Sequence, residues 1–127
     1  MNRRHLTVLA LLLTGCASYT WTDDGQMTDW YRWEVVPREG FHARCGFLAP
    51  THAQAGAACA VRLKNGIVMP GDRNIHTGEV ATERKVGRLC VVISTATEDE
   101  ARRMLADDRS LWKHEMAHCV GLNHGRE

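Results

Sequence analysis

Several things this 127-residue chain lacks narrow what it can be. Its one continuous apolar run near the start, Leu6 to Thr14, is too short to span a bilayer as a stable helix, so a transmembrane anchor is not expected. It has no excess of one charge. The formal net charge is +1, and beyond residue 15 there are 14 basic and 15 acidic side chains. That balance gives no electrostatic case for a nucleic-acid partner. No two cysteines have the close C-x-x-C spacing of structural zinc sites. There is no internal repeat or low-complexity tract. With 44% hydrophobic and 24% charged residues, the composition is that of one globular domain with one core.

The first sixteen residues, MNRRHLTVLALLLTGC, read as a targeting segment. Arg3, Arg4 and His5 form a basic head, followed by the short apolar run. The ending Leu13-Thr14-Gly15-Cys16 resembles the lipobox of bacterial lipoprotein signal peptides. That resemblance implies removal of residues 1–15 and a lipid on Cys16. With Ala17 and Ser18 following, it also implies sorting to the periplasmic face of the outer membrane. Residues 16–29 are polar and turn-rich and read as a tether, leaving 30–127 as the domain, although Tyr19 and Trp21 could equally pack on it. An ordinary signal peptide cut after Cys16 is the alternative. Either cut exports the chain to an oxidising compartment, where Cys45, Cys59, Cys90 and Cys119 are expected to form two disulfides. Three connectivities are possible. Cys119 falls on the core face of a helix and Cys90 in the most apolar strand, so Cys90–Cys119 is expected, and Cys45–Cys59 by elimination.

The local patterns predict an α+β fold: a small twisted β-sheet packed against a C-terminal zinc-binding helix, with one helix preceding it. Trp30 to Val36 is aromatic and β-branched and stops at Pro37, as a strand would. Residues 38–57 look irregular, with a possible helical turn near Thr51 to Gln54. Asn65-Gly66, flanked by Val61, Leu63, Ile67 and Met69, predicts a tight hairpin. Residues 73–85 are polar, as in a loop or exposed edge. Val86 to Ser94 is a near-continuous apolar run, expected of a buried strand. Thr97 and Glu100 form a capping box that starts a helix. No Gly or Pro forces a break between it and a second helix from about Arg109 to Val120, so a single helix or two remain open.

The stretch HEMAHCVGLNH, His114 to His124, carries the chemistry. On a helix His114 and His118 lie one turn apart on one face, with Trp112, Met116 and Cys119 on the other. Two such imidazoles can chelate one zinc ion. Gly121 tolerates positive φ and can turn the chain so that His124 becomes a third ligand. Glu115 is placed to act as general base toward an attacking water. His114, Glu115, His118, Gly121 and His124 resemble the H-E-x-x-H-x-x-G-x-x-H pattern of metzincin zinc metallopeptidases. His118-Cys119 also resembles a small class of envelope and phage-associated proteins. The metzincin resemblance implies bound Zn2+, Glu115 as catalytic base and a peptide or protein substrate. A methionine turn does not follow His124 in this sequence. A pocket floor would come from Met69, Met104 or Met116, and the choice stays open. The expected function is therefore a zinc metallopeptidase at the bacterial envelope, membrane-attached through its lipid. The alternatives are a non-catalytic, zinc-stabilised lipoprotein or an amidase of cell-wall peptide. His42, His52 and His76 read as surface residues, Glu127 is a poor ligand candidate, and oligomeric state is not indicated.

Overall fold

Ten residues, Lys85–Ser94, form the strand around which the rest is built (β5). From Leu89 to Ser94 every side chain is buried. Alternate residues of a strand face opposite ways, so both faces of the sheet must be covered here. A computed structural model, describing residues 21–23, 26–48, 58–106 and 108–124, shows what covers them. The targeting segment with Cys16, most of the tether, His52 and Glu127 lie outside the described residues.

The main sheet has the order β3-β5-β2-β4. Its strands are β2 (Trp30–Val35), β3 (Ala58–Val68), β4 (Arg73–Asn74) and β5. β5 runs antiparallel to β3 and parallel to β2, with Tyr31 opposite Cys90 and Cys59 opposite Ile93. Helix α1 (Arg38–Leu48) lies on one face, burying Phe41 and Cys45 against Cys59, Leu89, Val91 and Ile93. On the other face sits α3 (Leu111–Cys119), burying Met116 and Cys119 against Tyr31, Cys90 and Val92. Helix α2 (Glu98–Arg103) precedes it, and Ala101 joins Leu111 and Ala58 in a smaller cluster. The described residues are thus α+β, as expected, with helices on both faces of a mixed sheet.

Both disulfides pair as expected. Cys45–Cys59 ties α1 to β3, and Cys90–Cys119 ties α3 to β5 with a Cα–Cα distance of 5.5 Å. Each bridge therefore pins one helical layer to the sheet.

Three expectations are corrected or resolved. Residues 38–48 are helical, not irregular. Gly40 and Gly46 lower helix propensity there, but Pro37 leads in, Glu39 is in the first turn, and Phe41 and Cys45 stand one turn apart on the buried side. Asn65-Gly66 does not turn the chain, because β3 runs straight through it. Leu63 pairs with Leu89 and Gly66 with Gly87, so two residues of β3 oppose Arg88 alone in a bulge. Glycine serves close approach here, since a Cβ on Gly66 would stand 2.8 Å from Leu89 Cβ. Finally, the stretch between α2 and α3 does break. Met104 is extended, and a short ribbon of β6 (Leu105–Ala106) and β7 (Arg109–Ser110) leads into α3.

The capping box at Thr97 and Glu100 is present as read. Glu98 then fixes α2 to its neighbours, accepting hydrogen bonds from the Tyr31 hydroxyl, from Trp112 Nε1 at 2.9 Å and from Arg102 Nη2 at 3.2 Å. Burial, and then the Glu98 carboxylate, push the Tyr31 phenol from the ordinary 10.0 up to about 12. The folded chain holds this proton more tightly than the unfolded chain does. The resulting stability is complete below pH 10 and is lost as pH rises through about 12. Stability measured by denaturant between pH 9 and 12 is expected to fall more steeply for the wild type than for Tyr31→Phe. Parallel curves would show that Tyr31 titrates alike in both states.

Candidate metal and catalytic site

Helix α3 begins where its sequence allows. Ser110 is extended, and its hydroxyl accepts the Lys113 N–H at 3.1 Å, satisfying one of the first-turn donors. The core side of α3 packs on β5 and β2, which leaves the opposite side for the histidines. His114 is buried and His118 half-buried. Their ring centroids are 5.1 Å apart, with planes at 75°. Glu115, between them in sequence, is only 3% exposed. His114 and His118 stand together, as expected, while Met116 and Cys119 belong to the core cluster on β5 and β2.

The end of the helix is set by Gly121. Its φ is +99°, in the left-handed region, and its N–H donates to His118 O at 3.1 Å. The chain reverses into β8 (Leu122–His124), which pairs antiparallel with β1 (Trp21–Asp23). His124 therefore lies on a short strand just past the turn, opposite Trp21. Its side chain is outside the described residues.

One contact fixes the chemistry of His118. Its Nδ1 lies 3.0 Å from Leu122 O. A carbonyl oxygen only accepts, so Nδ1 carries the proton, and Nε2 keeps its lone pair in the neutral ring. That is the tautomer a metal ligand needs, and a carbonyl behind a ligating imidazole is a usual way to set it. Imidazole nitrogen is a donor type that zinc takes, and α3 supplies two such rings one turn apart.

The recognition of a complete metzincin-type zinc motif is corrected. Among the described residues no group of three or more His, Cys, Asp and Glu side chains is placed to hold a metal ion. The physical reason is that α3 supplies only a pair. Spacing along a helix places His114 and His118 together, whereas the third position depends on the fold beyond Gly121. Other candidates do not complete the set among the described residues. His76 Nε2 is 3.3 Å from Asp29 Oδ1, on the β4 side of the sheet. His42 is exposed on α1, against Phe41. Met116 belongs to the core side of α3, and Met69 and Met104 are substantially exposed.

Sequence reading missed two groups that shape this end of the helix. The Leu122 carbonyl is backbone and leaves no trace in residue type. Thr28, buried and hydrogen-bonded to Cys119 O, acts across 91 positions, and nothing local marks it. Comparisons with family models, with curated proteins and with solved structures found no match for the chain.

Proposed function

We propose that the chain is a zinc-dependent hydrolase of peptide bonds, held at the bacterial envelope by a lipid on Cys16. The observation that carries this reading is the polar side of α3. It carries two neighbouring imidazoles, one with Nδ1 against Leu122 O, and the same helix buries Glu115, next to His114 in sequence. The residues that would hold the ion are His114 and His118, with His124 as the third ligand on sequence spacing. When bound, zinc supplies Lewis acidity, polarising a carbonyl and acidifying water. Glu115 accepts the proton of the attacking water as the C–O bond forms. It returns that proton to the amide nitrogen as the C–N bond breaks, and the acyl product's remaining proton passes to the leaving amine, giving a carboxylate and an ammonium group. The protein's own contribution is to keep the base dry, next to the first ligand, on a helix clamped to the sheet.

Two observations weigh against a purely stabilising metal. Each helical layer already has a disulfide. A structural site also has no use for a buried carboxylate beside its ligands. Protein peptide and cell-wall peptide remain two sources of the same amide bond.

Metal analysis tests the reading. The purified full-length protein is expected to hold one zinc per chain, and His118→Ala to lose it together with part of its thermal stability. A wild-type protein that retains no zinc against a mild chelator would overturn the proposal.

A further inference from the structure

Helix α3 does not cover the whole of its face of the sheet. It ends at Cys119, bridged to Cys90, whereas β5 extends five residues further out, to Lys85, beside the end of β3 at Val68. Side chains alternate along a strand, so Arg88 and Val86 face the same way as Cys90. Val86 is 65% exposed, and Ile67, directly opposite it on β3, is exposed as well. Positive charge gathers at the same end. Residues 62–68 and 84–88 carry Arg62, Lys64, Arg84, Lys85 and Arg88 and no acid. Asp29, bonded to Arg88, and Glu83, next to Arg84, reduce the five to an excess of three. Residues 97–113, around α2, instead carry five acids and four bases.

Resting on the lipid-anchored reading above, we infer that this end of the sheet docks on an anionic phospholipid surface. Val86 and Ile67 meet the headgroup boundary, and Lys64, Arg84 and Arg88 meet the lipid phosphates. The way the chain enters the domain points to a bilayer as the occupant. β1 starts five residues after Cys16, a span of at most about 17 Å even when fully extended. Three residues beyond β1, Gln26 O accepts from Arg62 Nη1 at 2.7 Å, and Asp29 then holds the Arg88 guanidinium with both carboxylate oxygens. The chain arriving from the lipid is therefore fastened to the end of the sheet that carries the patch. Attachment to a bilayer surface draws on shallow apolar burial together with attraction of basic side chains to anionic lipid. Two apolar side chains are too few for a stable protein–protein contact, which buries on the order of 1,200 Å² or more in total. Leu105 is the more exposed apolar side chain, at 85%, but it lies at the acid-rich end.

The test uses the lipid-bearing protein in vesicles of phosphatidylcholine, alone or mixed with phosphatidylglycerol. A photo-activatable phenylalanine analogue replaces Val86 in one sample and Leu105 in a control, both checked for the two disulfides. In the anionic vesicles the position of Val86 is expected to give at least about fivefold more lipid adduct than that of Leu105, the weight of a single basic side chain near such a surface. Lys64→Gln/Arg84→Gln, two changes at exposed positions, is expected to lower the adduct at Val86 by about tenfold or more. Vesicles of phosphatidylcholine alone are expected to lower it likewise. The inference is overturned if the two positions label lipid equally, or if neither the double variant nor the neutral vesicles change the yield. It is also overturned if the position of Val86 crosslinks a second copy of the chain in place of lipid. A protein whose mass shows no lipid on Cys16 would instead overturn the anchored reading, and the same chain added to the same vesicles would still judge the patch.

Discussion

Glu115→Gln is expected to lower peptide hydrolysis by about a hundredfold to ten-thousandfold, the usual contribution of a positioned acid–base group. Zinc content and melting temperature are expected to stay near those of the wild type. The substitution preserves shape in a site where Glu115 is almost fully buried, and it leaves both α3 histidines untouched. What it removes is the capacity to take up a proton. This separates an enzyme from a protein that merely holds a metal, because only the enzyme uses Glu115 as a base. The measurement pairs zinc content with cleavage of a mixed peptide library and of cell-wall peptides. If the wild type binds zinc, cleaves neither substrate set and behaves identically to Glu115→Gln, the hydrolase reading should be abandoned.

The second large effect concerns the bridge beneath the site. Removing it as Cys90→Ala/Cys119→Ala is expected to cost about 3–4 kcal/mol on the chain-entropy account, because the bridge closes a loop with a sequence separation of 29. Domains of this size are commonly stable by only about 5–15 kcal/mol, so the loss is a large share of the total. Both cysteines are completely buried between α3 and β5, so two small voids add to the cost. Removing Cys45–Cys59, with a separation of 14, is expected to cost somewhat less, near 3 kcal/mol. The two variants should also differ in kind. Only loss of the bridge next to His118 is expected to weaken zinc binding beyond its effect on stability. Denaturant unfolding and chelator competition on both variants check this. Equal effects on zinc would show that the bridges act only through global stability.

Legibility in the sequence followed the range of the interaction. The capping box at Thr97 and Glu100, the buried strand ending at Ser94 and the two-sided helix His114–His118 are all written in neighbouring residues, and all were readable. The disulfide pairing was readable because Cys119 and Cys90 each sat on a recognisable core position. Asn65-Gly66 misled because Asn-Gly suits a tight turn, yet the glycine is needed for the approach of Leu89. Helix α1 was obscured by its two glycines, although Phe41 and Cys45 carried its buried stripe. The metzincin pattern is the sharpest instance. Its letters determine which side chains share a helix face, while the third ligand and the surrounding pocket depend on how the rest of the chain folds.

The grip of Thr28 on Cys119 also bears on the order in which the protein is assembled. The two residues are 91 positions apart, and β1 and β8 join the chain from still further out. Closing so long a loop carries an entropic cost that the local elements around α2 and α3 do not face, so such contacts form late in folding. During synthesis they also wait for residues 119–124 to emerge, whereas β2 and β5 need only the chain as far as Ser94. The sheet is therefore expected to mature first and the histidine-bearing turn last. A chain ending soon after Ser94 would then pair β2 with β5 and lack the histidine-bearing turn.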